Sequence, residues 1–116
     1  MKTIIAGSRN IIDYELVKQA IEESGFAITE VISGDARGVD QLGSRWANEK
    51  GITVRHFPAQ WEKQGRAAGH IRNGQMANVA DALIAITTGS PGTASMIKKA
   101  QKKGLQIFIK QVSKDA

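Results

Sequence analysis

The chain of 116 residues has no cysteine. That excludes disulfides and thiolate metal sites, and it fits a cytoplasmic protein. No apolar run approaches the roughly 20 residues that a membrane-spanning helix needs. The opening "MKTIIAGSRN" has an apolar stretch too short for the core of a secretion signal and meets Arg9 at once, so it reads as a strand. The two histidines, His56 and His70, are not in metal-ligand spacing with each other. The chain also lacks internal repeats, linkers and low-complexity segments. Neither a GxxxxGK[ST] phosphate loop nor a GxGxxG fingerprint after the first strand is present. The expectation is a cytoplasmic chain with no membrane partner, no metal and no resident cofactor.

What is there fits one ordinary domain, residues 1–116, with 41% hydrophobic and 23% charged residues. The net charge of +5 makes nucleic acid the first partner to weigh. The cations, however, are sorted by type. Six of the ten lysines fall after position 97, and Lys98, Lys99, Lys102 and Lys103 form two i,i+4 rows on one helix ahead of Gly104. Cations there complement the helix dipole and keep an outer face wet. That solvated-face reading is preferred over nucleic acid. The arginines gather elsewhere, as the order of elements shows.

Apolar patterning alternates regularly. Strands are expected at 2–6, 29–33, 52–57, 82–87 and 105–110. Asp13 is a plausible cap for a first helix, "YELVKQAIEES", ended by Gly25. Further helices are expected from about 39 to 50, 66 to 80 and 92 to 103, with "PAQWEKQG" as a loop before the third. Five strands alternating with four helices imply a Rossmann-like α/β/α layering around a five-stranded parallel sheet, in the expected strand order 3-2-1-4-5. In such sheets ligands bind beyond the carboxyl ends of the strands, where the winding reverses. The segments there are "GSRN" (7–10), "GDARGVD" (34–40), "PAQWEKQGR" (58–66) and "TGSPGT" (88–93). Arg9, Arg37, Arg66 and Arg72 lie in these segments or within about two turns of a following helix start, and arginine suits bidentate phosphate recognition.

Each segment admits a plain and a functional reading. Gly7, Ser8 and Arg9 are either a strand-to-helix turn or a phosphate contact. Gly34 and Gly38 permit tight turns before a helix whose free N–H groups face the loop; Asp35 and Arg37 sit between them. Asp40 either offsets that helix's dipole or accepts a ribose hydroxyl or a proton. In "TGSPGT", Ser90 reads as an N-cap with Pro91 at the first helical position. That leaves Gly89, Gly92 and Thr93 unexplained, and an anion site at the helix N-terminus accounts for them. Trp61 either plugs its loop onto the body or stacks on a base. Arg72 is either a cation at the site rim or a surface residue. His56 and His70 lie near the site edge without a carboxylate at readable spacing.

Taken in order, "IAGSR", "SGDARGVD", "WANEKGITVRHFPAQW", "GRAAGHIRNGQMA", "ADALIA" and "GSPGTASMIKKAQKKGL" resemble the YspA-like, cpYpsA-related branch of the SLOG superfamily, over nearly the whole chain. That superfamily joins DprA-type proteins with the LOG cytokinin-activating phosphoribohydrolases. The resemblance implies a ligand that is a nucleotide or derived from one, including NAD and ADP-ribose derivatives. It further implies small bacterial and phage proteins and homo-oligomers whose protomers complete each other's pockets. Some SLOG domains sense cyclic ADP-ribose signals of bacterial immunity, so an anti-defence sponge is one expected role. The hydrolase branch carries PGGxGTxxE after strand four and an Arg-Lys pair on the preceding helix. Here Gly92 and Thr93 match the GT, Arg72 matches the arginine, Asn73 stands for the lysine and Met96 for the glutamate. Methionine cannot act as a base or stabilise an oxocarbenium-like centre. Asp35, Asp40 and Arg72 are the residues left to carry any catalysis. The expectation is therefore a nucleotide binder without turnover. An N-glycosidic hydrolase of nucleoside monophosphates and a nucleic-acid binder using the lysine helix are the alternatives.

Overall fold

Strands β1 (Lys2–Gly7), β2 (Glu30–Ser33), β3 (Thr53–His56), β4 (Ala82–Thr87) and β5 (Gln106–Gln111) pair in parallel, in the order β3-β2-β1-β4-β5. The computed structural model describes residues 1–113; the end of the polar tail, with Lys114, lies outside the described residues. The helices are α1 (Tyr14–Ser24), α2 (Val39–Glu49), α3 (Trp61–Gln64), α4 (Ala68–Val79) and α5 (Pro91–Lys102). None is long and apolar enough to cross a membrane.

The period-two geometry of a strand sends neighbouring side chains to opposite faces. Ile5, Ile84 and Ile86 therefore meet Val17 and Ile21 of α1 and Val39, Trp46 and Ala47 of α2 on one face. Ile4, Ala6, Leu83 and Ala85 meet Met76 and Ala77 of α4 and Met96 and Ala100 of α5 on the other. Because β1 and β4 are covered on both faces, their sequences are continuous apolar runs. The chain winds from β1 out to β3, then returns to place β4 on the other side of β1. The carboxyl ends of β1 and β4 thus flank the switch point.

Local signals act as expected at α1. The Asp13 carboxylate accepts the N–H groups of Glu15 and Leu16 at 3.1 and 3.4 Å, and Gly25 closes the helix in the left-handed region at φ 68°. The segment before the third expected helix differs. Gln60 O accepts both Lys63 and Gln64 N–H, which makes α3 a single turn instead of a loop. Gly65, at φ 56°, then breaks the direction. A 3-10 turn over Gly65–Ala67 follows, and α4 starts at Ala68.

Candidate functional site

Beyond the ends of β1 and β4 lies an open cleft of about 620 Å³, with Ala6, Met76 and Met96 among its lining. Gly7 brings β1 close enough that a side-chain carbon there would collide with the Ile86 carbonyl oxygen and the Val39 side chain. Ser8, only 1% exposed, continues the ladder by donating its N–H to Ile86 O at 3.0 Å. Its hydroxyl is the hub of a network. Thr88 N–H donates to Ser8 Oγ at 2.9 Å, and Ser90 Oγ and Thr87 Oγ1 lie 2.9 and 3.3 Å from it. Ser90 Oγ in turn meets Thr93 Oγ1 at 2.9 Å. Thr87 Oγ1 accepts the N–H of Gly89 at 2.9 Å, which folds the loop back through Gly89 at φ 102°.

This network diverts the Ser90 side chain. Ser90 holds the N-cap position, but its hydroxyl makes no capping bond. Pro91 has no N–H, and Ala94 is the first residue to find a helical acceptor, Ser90 O at 3.1 Å. Among the described residues, the N–H groups of Gly92 and Thr93 have none. Nothing lies within 4 Å of where a Gly92 side chain would begin. Two free amides at the positive end of a helix whose first turn lines the cleft suit an anion.

Arg72 and Asp40 face each other across Gly34. A side-chain carbon at Gly34 would strike the Arg72 guanidinium and stand 2.9 Å from Asp40 Oδ2, so only glycine fits. Arg72 is 9% exposed; it is a buried wall of the cleft and not the rim cation or surface residue that the sequence offered. Its Nη1 donates to Gly34 O and its Nε to Asn73 Oδ1 at 3.0 Å, while Asn73 Nδ2 donates to Gly92 O at 3.4 Å. Asn73 thus ties the guanidinium to the first turn of α5. The ion pairs among the described residues are Arg45–Glu49, His56–Asp35 and Lys110–Glu23, so Arg72 has no carboxylate in contact. Burial lowers its pKa, partly offset by Asp40. Asp40 is 4% exposed. Burial pushes its carboxyl up to about 6, against the pull of the Ala36 N–H, the Arg72 charge and the Gly7 N–H. Among the residues that line the cleft it is the sole carboxylate.

Arg9, Arg66 and His70 line the outer cleft and are exposed. His70 Nδ1 meets Ser95 Oγ at 3.0 Å, and Lys99 Nζ donates to the same hydroxyl at 3.3 Å. Lys98, Lys102 and Lys103 are exposed on the far side of α5. Trp61 lines the cleft with its ring over Gly69 and is 51% exposed, so it is not the buried plug.

Four expected contacts, Gly34, Asp35, Arg37 and Gly38, fall outside the cleft lining. Asp35, the one non-glycine residue at positive φ (60°) among the described residues, turns its carboxylate outward to His56 Nδ1 at 2.6 Å. Both border a separate hollow of about 710 Å³ beside α2. Arg37 is exposed and lines neither hollow. Gly38, at φ 78°, is a packing glycine: a side chain there would collide with the backbone of Ser8 and Arg9. Gly7, Ser8, Arg9, Asp40, Trp61, Arg72, Asn73, Gly89, Ser90, Gly92 and Thr93 do share the cleft, and Gly34 spaces Arg72 from Asp40 behind it.

Residues 1–64 match the YspA, cpYpsA-related SLOG family. The Gene 61 protein of Mycobacterium phage D29 is 33% identical over 118 residues, covering 92% of this chain and 94% of that one. The chain belongs to the YspA, cpYpsA-related SLOG family. The solved structure of DNA processing protein A (DprA) from Streptococcus pneumoniae superposes with a TM-score of 0.76 at 16% identity, which shows a shared fold. It covers 93% of this chain, which spans 49% of the DprA chain.

In this SLOG chain, Met96 is 1% exposed and packs between α4, α5 and the sheet while lining the cleft floor. The sequence reading missed Thr87, the buried strand-end hydroxyl that organises the β4–α5 loop, and Met76 on the floor. Thr87 looked like one more β-branched strand residue. Only its place at the carboxyl end of β4 hinted at more.

Proposed function

We propose that the chain binds a phosphate-bearing nucleotide, of the ADP-ribose or NAD-related kind, and holds it without turnover. The observation that carries this reading is Arg72: a guanidinium nine-tenths buried, with no carboxylate in contact, tied through Asn73 to a helix start with two free amides. A buried charge is costly unless an anion meets it, and phosphate satisfies Arg72 and the Gly92 and Thr93 amides together. Asp40 stands beside that position as an acceptor for a ribose hydroxyl. Arg9 adds a cation at the mouth. The buried methionine at position 96 supports binding over hydrolysis. The phage relative is compatible with a phage-encoded chain, and so with a role as sensor or sponge of a nucleotide immune signal.

The test is thermal unfolding against a nucleotide panel. A ligand at 100 times its Kd stabilises by about 2.7 kcal/mol, a rise on the order of 10 °C for a domain of this size. Arg72→Ala should abolish the shift, and ligand recovered after denaturation should be intact. No shift with any nucleotide would refute the proposal. A second reading, N-glycosidic hydrolysis of a nucleoside monophosphate, draws on Asp40, whose carboxyl near 6 suits proton exchange at neutral pH. It requires free base on chromatography, lost on Asp40→Asn.

A further inference from the structure

Between β3 and α4 the chain borders the cleft as a strap, residues 58–67. No residue of it is buried. Its backbone hydrogen bonds are local: Lys63 and Gln64 N–H to Gln60 O, Gly65 N–H to Trp61 O, and Ala68 N–H to Gly65 O. The side-chain hydrogen bonds and ion pairs of the described residues include none from the strap to the rest of the fold. One point of contact with the body is the Trp61 ring, whose Cη2 lies 3.5 Å from where a Gly69 side chain would begin. The glycine leaves α4 flat beneath the indole. Yet this loosely fastened segment supplies two of the cleft's chemically distinct residues, Trp61 and Arg66. Gly65, at φ 56° in open space, lies between them and can absorb a change of direction.

Two features need an occupant. A tryptophan left 51% exposed beside an open cleft has an apolar face to cover. Arg66 has no carboxylate in contact and faces the same space. Few buried contacts and only local hydrogen bonds mark a segment of low local stability, from which mobile covers of binding sites are drawn. A planar ring seated next to the buried anion pole gives the indole a stacking partner, which is sequence-tolerant among bases.

We propose that the strap is a lid ordered by the ligand: it lays Trp61 on the base and brings Arg66 to an outer anionic group, so the site selects for a phosphate that carries an aromatic ring. This rests on the nucleotide reading above and adds the element that reads the base. Ribose 5-phosphate fills the anion pole alone; AMP adds the base, and ADP-ribose adds a second phosphate.

Lys63 and Arg66 make the strap a trypsin substrate, so closure is read as the cleavage rate after these residues, located by mass spectrometry. AMP and ADP-ribose should slow cleavage about tenfold or more and change Trp61 emission, the signal that Trp61→Ala removes. Ribose 5-phosphate should raise the unfolding temperature with neither effect. Trp61→Ala should weaken AMP roughly tenfold and leave ribose 5-phosphate unchanged; Arg66→Ala should weaken ADP-ribose more than AMP. Strap cleavage unchanged under bound AMP, or equal protection by ribose 5-phosphate, overturns the lid while the nucleotide reading stands. If no panel member binds, both fall.

Discussion

Replacing Asp40 with asparagine keeps the shape of the side chain and removes its charge. In the folded chain the Asp40 carboxyl titrates at about 6, against 3.8 in its absence. Between these values the folded chain holds a proton that the unfolded chain has released. Stability must therefore fall as pH rises through this window and level off above 6, the opposite of a salt-bridged carboxylate. The span corresponds to about 3 kcal/mol. Burial is the main cause, so screening by solvent does not shrink it. Urea denaturation followed by far-UV circular dichroism, from pH 4 to 8, isolates the effect as the difference between wild type and Asp40→Asn. The wild type should lose about 2.4 kcal/mol relative to the variant between pH 4 and pH 7.5, the rest of the span lying below pH 4. Parallel pH profiles would refute the account, because the cost of the buried charge would then be met by contacts other than those seen.

Gly7→Ala drives a methyl group into the Ile86 carbonyl and Val39, and the paired backbones of β1 and β4 have little freedom to yield; a loss of about 3 kcal/mol or more is expected by urea denaturation. Met96→Glu places a carboxylate where 1% of the side chain is exposed. It should cost about 3 kcal/mol at neutral pH, with stability recovering as acid protonates it, and should release no base from nucleoside monophosphates. The triple change of Lys98, Lys102 and Lys103 to glutamate should leave nucleotide affinity within twofold, since these exposed side chains do not line the cleft. It should lower stability by about 1 kcal/mol through the α5 dipole.

The fold was largely legible because its signals are local. The apolar runs, Asp13 and Gly25 each act within a few residues of themselves, and the alternation of elements then leaves few topologies. Much of the cleft was legible for a related reason: whatever follows β1 and β4 must stand at the switch point. The misreadings concern partners distant in the chain. Asp35 and Arg37 flank Ala36, which does reach the cleft, but Asp35 is drawn outward by His56 at the end of the neighbouring strand. No spacing within the segment announces that pairing. Arg72 looked like a surface or rim cation because its depth depends on Gly34, 38 residues earlier. Ser8 and Ser90 read as ordinary turn residues, and Thr87 as an ordinary strand residue, until β1 and β4 lie side by side. α3 went unseen because one turn has no period to detect.

The contact at Gly38 has a consequence for anyone who would re-engineer this cleft. The loop after β2 runs under the backbone of Ser8 and Arg9, and Val39 N–H and Ile11 N–H both donate to Ser8 O at 3.4 Å. The two loops are therefore one mechanical part assembled from separate stretches of gene. A graft that imports a new loop after β1 from a relative must import its partner after β2 as well. Libraries that randomise either stretch alone will mostly sample broken joints, and recombination between relatives should keep residues 7–11 and 34–40 in the same parental block.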